Sequence, residues 1–326
     1  MVGIFKANNP FNTFVLFIYG LLLKLAFFIN PHKPVVQPTD GVVYKGFLTV
    51  INYVGNIFPV IYPAIAYFFL FTQAAMFNRL VNDRRMIQRP NYLPGMSYLL
   101  ITSMFSEWSY LGAPLIINTF LIWIWAKVTN LATAQHPKSA LFNIGIMIGL
   151  SSFIYFPSIM FCLLVVSALV ITRPFQPAEW VVAFIGIITP YYFVFSYLFL
   201  ADKLAWYKIP KLAFLYPSFI RNYWTLTSIG LVLLAFFTGC FFVQANFRRQ
   251  LVLSRKSWSL LLIYLGIAVL LACINNTNTL QIWLLTAIPL SAFIACAFFY
   301  PEKRWISVTL HWMMIVLVIL TMIFDG

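Results

Sequence analysis

The sequence predicts an all-α fold, a polytopic bundle of transmembrane helices. Of its 326 residues, 62% are hydrophobic and only 9% are charged, and the mean hydropathy is +0.90. A soluble domain usually has about 25% charged residues. Apolar runs long enough to cross a hydrocarbon core of about 30 Å recur along the whole chain, with only short polar interruptions. We therefore treat residues 1–326 as a single transmembrane domain.

The basic residues orient this domain in the membrane. The formal net charge of +14 comes from short loops between apolar runs, which form no continuous soluble face for a nucleic-acid partner. Basic residues in short loops are retained in the cytoplasm. The two densest clusters, "FNRLVNDRRMIQRP" (77–90) and "NFRRQLVLSRK" (246–256), are therefore placed there. This orientation predicts a bacterial inner-membrane protein with a cytoplasmic N-terminus and a periplasmic C-terminus.

Two spans are predicted ahead of the first basic cluster. The run 11–29 has no A-x-A cleavage site after it, so we interpret it as a retained helix. The second span is predicted over about residues 48–76. Between them lies "NPHKPVVQPTDGVVYKG" (30–46), which this topology places outside and which contains Asp40.

Two longer runs, 93–126 and 141–172, predict tight helical hairpins. Each is too long for one ordinary span and too short for two comfortable ones. Ser106, Glu107 and Pro114 interrupt the first run, and Pro157 interrupts the second. Both hairpins would return to the cytoplasm, which gives about eleven spans in all, or about nine if each run crosses only once.

The remaining spans are predicted over 180–200, 224–243, 258–274, 280–299 and 305–324. Between the first two lies an outer loop, "DKLAWYKIPKLAFLYPSFIRN" (202–222), with four cations: Lys203, Lys208, Lys211 and Arg221. A basic outer loop is contrary to the positive-inside rule, so either the topology is locally different or the charges serve a purpose. An interfacial segment lying against anionic headgroups is one such purpose.

Asp40 and Glu107 are the candidate acidic residues of the external face. A carboxylate there can accept a proton from an attacking hydroxyl group or bind a divalent cation. Each has a structural alternative. Asp40 lies in "QPTDGVV", an order that favours a tight turn, and Glu107 could cap the returning arm of the first hairpin.

Cations at the same face could bind a substrate phosphate. The candidates are Lys24, Lys203, Lys208, Lys211 and Arg221. Lys24 is unusual because it lies inside the first apolar run, where a charge is costly unless it is paired or extends to the interface. Extension to the interface, called snorkelling, is the alternative to a role in binding.

The segment "FNIGIMIGLSSFIYFPSIMFCLLVVSALVITRP" (142–174) resembles a recurring stretch of polytopic glycosyltransferases of the GT-C fold. Gly145, Gly149, Leu150 and Pro157 carry the likeness. The resemblance implies a GT-C-like core in residues 1–200, followed by the basic loop and the C-terminal spans in 201–326. The whole chain also resembles an uncharacterised family of Bacteroidota integral membrane proteins, and that likeness implies no activity.

The GT-C resemblance implies a function for the first external loop. Its acidic residue is commonly the catalytic base or a metal ligand in that fold, and the donor is usually a polyprenyl-phosphate sugar. By position the residue is Asp40, although the paired acid of many relatives is missing and Tyr155 replaces a basic residue. A divalent cation is the one cofactor to consider. Besides membrane lipids, the implied partner is this lipid-linked substrate.

A non-catalytic assembly or scaffold subunit with a membrane-protein partner is the alternative function. A transporter is a third, although no carboxylate lies at the centre of a predicted span to carry a proton. Motifs of other enzyme classes, including G-x-S-x-G, Walker A and H-E-x-x-H, do not occur in the sequence.

Overall fold

The structure is a computed structural model that describes residues 1–203, 223–274 and 279–324. Within these ranges the secondary structure is helical and contains no strand, which confirms the all-α fold class. The α-helices are α1 (Val2–Lys6), α2 (Asn12–Leu23), α3 (Leu25–Ile29), α4 (Val42–Gly55), α5 (Ile61–Asp83), α6 (Leu93–Met104), α7 (Ala113–Asn130), α8 (Pro137–Ile154), α9 (Cys162–Thr172), α10 (Pro177–Leu200), α11 (Tyr223–Asn246), α12 (Val252–Ile274), α13 (Ala287–Phe299) and α14 (Arg304–Phe324).

Eight helices in the described ranges are long and apolar enough to cross a membrane. They are α5, α7 with its 3₁₀ extension, α8, α10, α11 with its 3₁₀ extension, α12, the element Leu280–Phe299 and α14. The apolar helix α2 and the segment Phe156–Thr172 are shorter, and α6 has only 12 residues. A 12-residue helix is only about 18 Å long, against a core of about 30 Å. The helices indicate a membrane-embedded protein, and fewer of them have full span length than the predicted eleven.

Two of the predicted spans are wrong in their extent. The run 11–29 is interrupted at Lys24, whose φ of −112° and ψ of 11° end α2 before α3 begins. The run 48–76 is also two helices, because α4 ends at Gly55 and α5 starts at Ile61 after a break that contains Pro59. Only α5 has the length of a span, and it extends to Asp83.

The first predicted hairpin is confirmed, and its arms are α6 and α7. Near the start of α6, Gly95 donates its backbone N–H to Asn78 Oδ1 at 3.2 Å. Near the end of α7, the Ala126 carbonyl accepts from Arg84 Nη2 at 3.4 Å. Both arms therefore meet the C-terminal part of α5. The bend between them contains a 3₁₀ turn, Ser106–Ser109.

The second predicted hairpin is also confirmed. α8 ends at Ile154, a 3₁₀ helix over Phe156–Phe161 makes the bend, and α9 returns. Just after α9, Arg173 Nη1 donates to the Leu131 carbonyl at 3.1 Å, close in sequence to where α8 began. We call the end of the bundle that holds Arg84 and Arg173 the basic end, and the end that holds the two bends the tip end.

Both basic clusters of the sequence lie at the basic end. Ser254 Oγ, near the start of α12, donates to the Arg84 carbonyl at 2.8 Å. Gln88 Nε2 lies 3.3 Å from Asn246 Oδ1 at the end of α11. The sequence placed these clusters on one side of the membrane, and the contacts place them together.

Glycines bring α8 and α10 into close contact. A Cβ atom at Gly145 would lie 2.5 Å from the Ala183 carbonyl oxygen, and one at Gly149 would lie 2.6 Å from that of Ile187. At Gly186 it would lie 2.5 Å from the Phe142 carbonyl oxygen. Small residues let membrane helices approach backbone to backbone. The glycines of the GT-C-like segment therefore have a packing role here.

Replacing Gly145 by leucine is expected to separate α8 from α10. The added side chain would overlap backbone atoms that cannot rotate away, which should cost at least about 2 to 3 kcal/mol of stability. The measurement is the melting temperature of the purified protein in detergent. Gly266→Leu in α12 is the matched control, because a Cβ at Gly266 would meet nothing within 4 Å. Equal melting temperatures for both variants would contradict this packing.

Candidate functional site at the hairpin tips

The segment around Asp40 is joined to the bend of the second hairpin. Gly41 donates its backbone N–H to the Ile154 carbonyl at 2.9 Å, and Phe156 donates its own to the Thr39 carbonyl at 3.3 Å. These bonds make an isolated antiparallel bridge between Asp40 and Tyr155. Tyr155 is thus the residue opposite Asp40 in the fold.

The carboxyl group of Asp40 is buried and half satisfied. Its Oδ2 accepts the backbone N–H of Gln37 at 2.7 Å, which is the turn contact that the structural alternative predicted. Its Oδ1 is buried with no hydrogen-bond partner among the described residues, and the residue is only 2% exposed. Burial raises the pKa of Asp40 to about 6, although the Gln37 N–H and the charge of Lys45 lower it. The turn therefore accounts for one oxygen and leaves the other unexplained.

Lys24 is buried at the break between α2 and α3. The snorkelling interpretation is wrong, because the residue is only 2% exposed. Its Nζ donates to Ser109 Oγ at 2.7 Å, and Ser109 Oγ in turn donates to the Thr102 carbonyl at 3.2 Å. No acidic side chain of the described residues lies within ion-pair distance of Lys24. A buried ammonium group with neutral partners is costly, so such groups are concentrated at functional sites.

Glu107 caps a helix other than the one predicted. Its carboxylate accepts the backbone N–H of Leu280, at the start of the 3₁₀ helix Leu280–Thr286. The neighbouring Trp108 donates its Nε1–H to the Leu280 carbonyl at 2.8 Å. Glu107 therefore does cap a helix, as the structural alternative predicted. The capped helix is Leu280–Thr286, far along the chain, and not the returning arm of the hairpin.

One segment, residues 106–112, contacts Lys24 and a residue close to Asp40. Lys24 binds Ser109, and Glu107 belongs to the segment. Tyr44, four residues after Asp40, donates its hydroxyl group to the Leu111 carbonyl at 3.3 Å. We call this segment with Lys24, Asp40 and Tyr44 the tip site.

The described residues contain no cluster of the usual metal-binding side chains at the tip site. In the described part of the chain, no group of three or more His, Cys, Asp or Glu side chains is arranged to hold a metal ion. A divalent cation at Asp40 would need further oxygen ligands besides this carboxylate.

Of the four cations of the outer loop, Lys203 lies within the described residues. Lys203 is exposed just after α10, where its backbone N–H binds the Leu198 carbonyl at 2.9 Å. In α10, Tyr191 contacts Ser152 near the second bend, so Lys203 lies about a dozen residues beyond that level. Lys208, Lys211 and Arg221 lie outside the described residues.

An apolar cavity of about 240 Å³ borders the tip site. Phe105 and Trp108 line it from the first bend, and Leu280 and Trp283 line it from the 3₁₀ helix that Glu107 caps. The other walls come from α11, α12 and the start of α13. A polar cluster and an apolar cavity thus share the bend of the first hairpin.

Sequence reasoning missed Ser109, Tyr44 and Trp108. Tyr44 follows Asp40 by four residues, a spacing of about one helical turn that could have placed the two close together at the start of α4. No local signal joins Ser109 to Lys24, or Trp108 to Leu280, because those pairs are far apart in the sequence.

Comparison with known proteins identifies a family but no activity. A family model described as "Family of unknown function (DUF6427)" matches residues 40–324, which is most of the chain. The chain belongs to this family. No curated protein and no solved structure matches it. The range matched to DUF6427 includes Asp40, Tyr44 and Glu107 and begins after Lys24.

Proposed function

We propose that this DUF6427 member acts on a polyprenyl-phosphate-linked sugar, or a related isoprenoid phosphate, and that the reaction is glycosyl transfer. The observation that supports this most is the pair of buried groups around one segment. Lys24 Nζ has a neutral partner, and Asp40 Oδ1 has none among the described residues. A phosphate and an acceptor hydroxyl group would supply the missing partners.

Each group has a defined role in the proposed reaction. An acceptor hydroxyl oxygen attacks C1 of the sugar, and the bond from C1 to the phosphate oxygen breaks. Asp40 takes the hydroxyl proton, and polyprenyl phosphate leaves with the electron pair of the broken bond. Lys24 stabilises the negative charge of the departing phosphate. Glu107 is the second acidic residue of the site, but it has no chemical role in this reaction, because its carboxylate accepts the backbone N–H of Leu280.

We propose that the tip site faces the periplasm. The basic end holds both arginine clusters, and basic residues in short loops are retained in the cytoplasm. The N-terminal helix α1 lies at the same end, where Tyr92 donates its backbone N–H to the Phe5 carbonyl at 2.8 Å. In this orientation the protein is an inner-membrane protein with a cytoplasmic N-terminus.

Asp40→Asn is expected to abolish transfer while leaving the protein folded. The amide keeps an oxygen that can accept the Gln37 N–H, but it cannot accept a proton from a hydroxyl group. We expect at least about a hundredfold loss of rate, the usual contribution of a general base. The assay follows the release of polyprenyl phosphate from a labelled donor by the protein in nanodiscs. Asp202→Asn is the matched control, because Asp202 is exposed after α10.

The same substitution should change the pH dependence of stability. The pKa of Asp40 is raised to about 6 by burial, so the folded protein binds a proton that the unfolded chain has lost. Ionisation of the buried carboxyl group therefore lowers the free energy of unfolding. This loss is absent at low pH and develops as the pH rises from about 4 through about 6. Asp40→Asn should remove that loss, so its melting temperature should exceed that of the wild type above pH 7.

Two outcomes of the transfer assay would contradict the proposal. If Asp40→Asn keeps full transfer activity, Asp40 is not the base. If the wild type has no transfer activity, the non-catalytic assembly subunit becomes the better account.

A further inference from the structure

Two polar groups in the lining of the apolar cavity are already hydrogen-bonded within the protein. Trp108 Nε1 is bonded to the Leu280 carbonyl at 2.8 Å, and Thr286 Oγ1 donates to the Trp283 carbonyl at 2.7 Å. The remaining lining is aliphatic or aromatic. Apolar cavities of about 150 Å³ stay dry and bind apolar molecules, so a ligand here would be a hydrocarbon.

The mouth of this cavity opens towards the lipid-facing surface. Leu233 of α11 and Val269 of α12 both line the cavity, and they are 45% and 36% exposed. α11 packs mainly against α13 and α14, whereas α12 packs mainly against α9 and the 3₁₀ helix Leu280–Thr286. Both α11 and α12 have the length and hydropathy of membrane spans. A hydrocarbon chain could therefore enter sideways from the bilayer between these two helices.

The wall of the cavity includes one residue of the tip-site segment. Trp108 lines the cavity, and the next residue, Ser109, holds Lys24 Nζ. Adjacent Cα atoms are about 3.8 Å apart, so the backbone of Trp108 lies next to that of the residue that binds Lys24, while Ser109 and Lys24 themselves do not line the cavity. The apolar and cationic parts of one amphiphilic ligand would thus be bound by neighbouring residues.

We infer that this cavity binds the isoprenoid chain of the substrate, an inference that rests on the proposed function. A phospholipid is the other amphiphile with a phosphate, but its ester carbonyls would be buried beside walls that offer them no donor. A polyprenyl phosphate is hydrocarbon up to its phosphate, so it matches an apolar wall that includes Trp108, the residue before the Lys24 partner Ser109. The cavity selects the hydrocarbon chain, and the tip site binds the phosphate.

The experiment uses photoreactive lipids and the full-length protein in nanodiscs. One probe is a polyprenyl phosphate with a diazirine in its chain, and the second is a diacyl phospholipid with a diazirine in one acyl chain. Leu233→Trp should fill the mouth and reduce labelling by the polyprenyl probe roughly tenfold, which corresponds to about 1.4 kcal/mol. Leu234→Trp is the matched control, since Leu234 is the next residue of α11 and does not line this cavity.

Peptide mapping of the labelled wild type decides where the chain lies. Label on the stretches of α11 and α12 that line the cavity, reduced by Leu233→Trp and unchanged by Leu234→Trp, supports the inference. Val269→Trp blocks the mouth from α12 and replaces Leu233→Trp if that variant does not fold. Labelling elsewhere, equal labelling of all variants, or equal reduction of both probes by Leu233→Trp would overturn it. Chain labelling is independent of turnover, so a wild type that binds the chain here but shows no transfer refutes the proposed function alone.

Discussion

Gly41→Ala is expected to destabilise the protein and inactivate the tip site. The backbone of Gly41 has φ −75° and ψ 168°, which any residue can adopt, so the cost is purely one of space. An added Cβ atom would lie 1.9 Å from the Phe153 carbonyl oxygen. Since that oxygen belongs to the backbone of the second bend, the bend must move away from Asp40. We expect a loss of roughly 2 to 4 kcal/mol of stability.

Gly46→Ala is the matched control for Gly41→Ala. Both glycines belong to the start of the α4 region, but a Cβ at Gly46 would meet nothing within 4 Å. Alanine within a helix is favoured over glycine by roughly 0.5 to 1 kcal/mol, so this variant should be as stable as the wild type or more stable. The measurement is the melting temperature of each purified variant in the same detergent. A Gly41→Ala protein as stable as Gly46→Ala would show that Asp40 is not held against the second bend.

Lys24→Met is expected to raise stability and to weaken substrate binding at least about tenfold. The methionine fills a similar volume without an ammonium group to desolvate, and Ser109 keeps its bond to the Thr102 carbonyl. Replacing a buried charge by a well-packed apolar side chain often stabilises a protein by roughly 1 to 4 kcal/mol. A substitution that raises stability and weakens binding indicates a residue that serves ligand binding at a cost in stability. Thermal melting measures the first, and equilibrium binding of polyprenyl phosphate in nanodiscs measures the second.

Lys33→Met provides the comparison for Lys24→Met. Lys33 precedes Asp40 in the same connection, is exposed, and has a 3.3 Å contact to Asn56 Oδ1. Its replacement removes the same charge without relieving any burial, so both properties should stay near the wild-type values. If Lys24→Met instead lowers the melting temperature and binds substrate normally, Lys24 is a structural residue.

The helical architecture could be predicted from the sequence because it depends on local composition. Hydropathy located the apolar elements, and Pro157 and the polar residues around Glu107 located both bends. The arginine clusters were correctly placed on one side by their charge alone. Local signals failed where a tertiary contact ends a helix. Nothing in the run 11–29 indicates that Lys24 would turn inward to Ser109 and interrupt it.

The composition of the site was only partly predictable for the same reason. Asp40 and Glu107 were noticed because acids are rare in this sequence, but their partners Tyr155 and Leu280 are distant in the chain. The sequence also offered two explanations for Asp40, a turn and a reactive carboxylate. The structure shows the turn contact on Oδ2 together with a buried Oδ1, a combination that requires the tertiary fold.

The central claim is that the tip site binds the phosphate of an isoprenoid lipid, and one binding measurement tests it most directly. The wild-type protein in nanodiscs is titrated with a polyprenyl phosphate and with the polyprenol of the same chain length. Because Lys24 would pair with the phosphate, we expect the phosphate to bind at least about tenfold more tightly, a difference of about 1.4 kcal/mol. That preference should disappear in Lys24→Met and persist in Lys33→Met. Equal affinity of the wild type for the phosphate and the alcohol would contradict the claim.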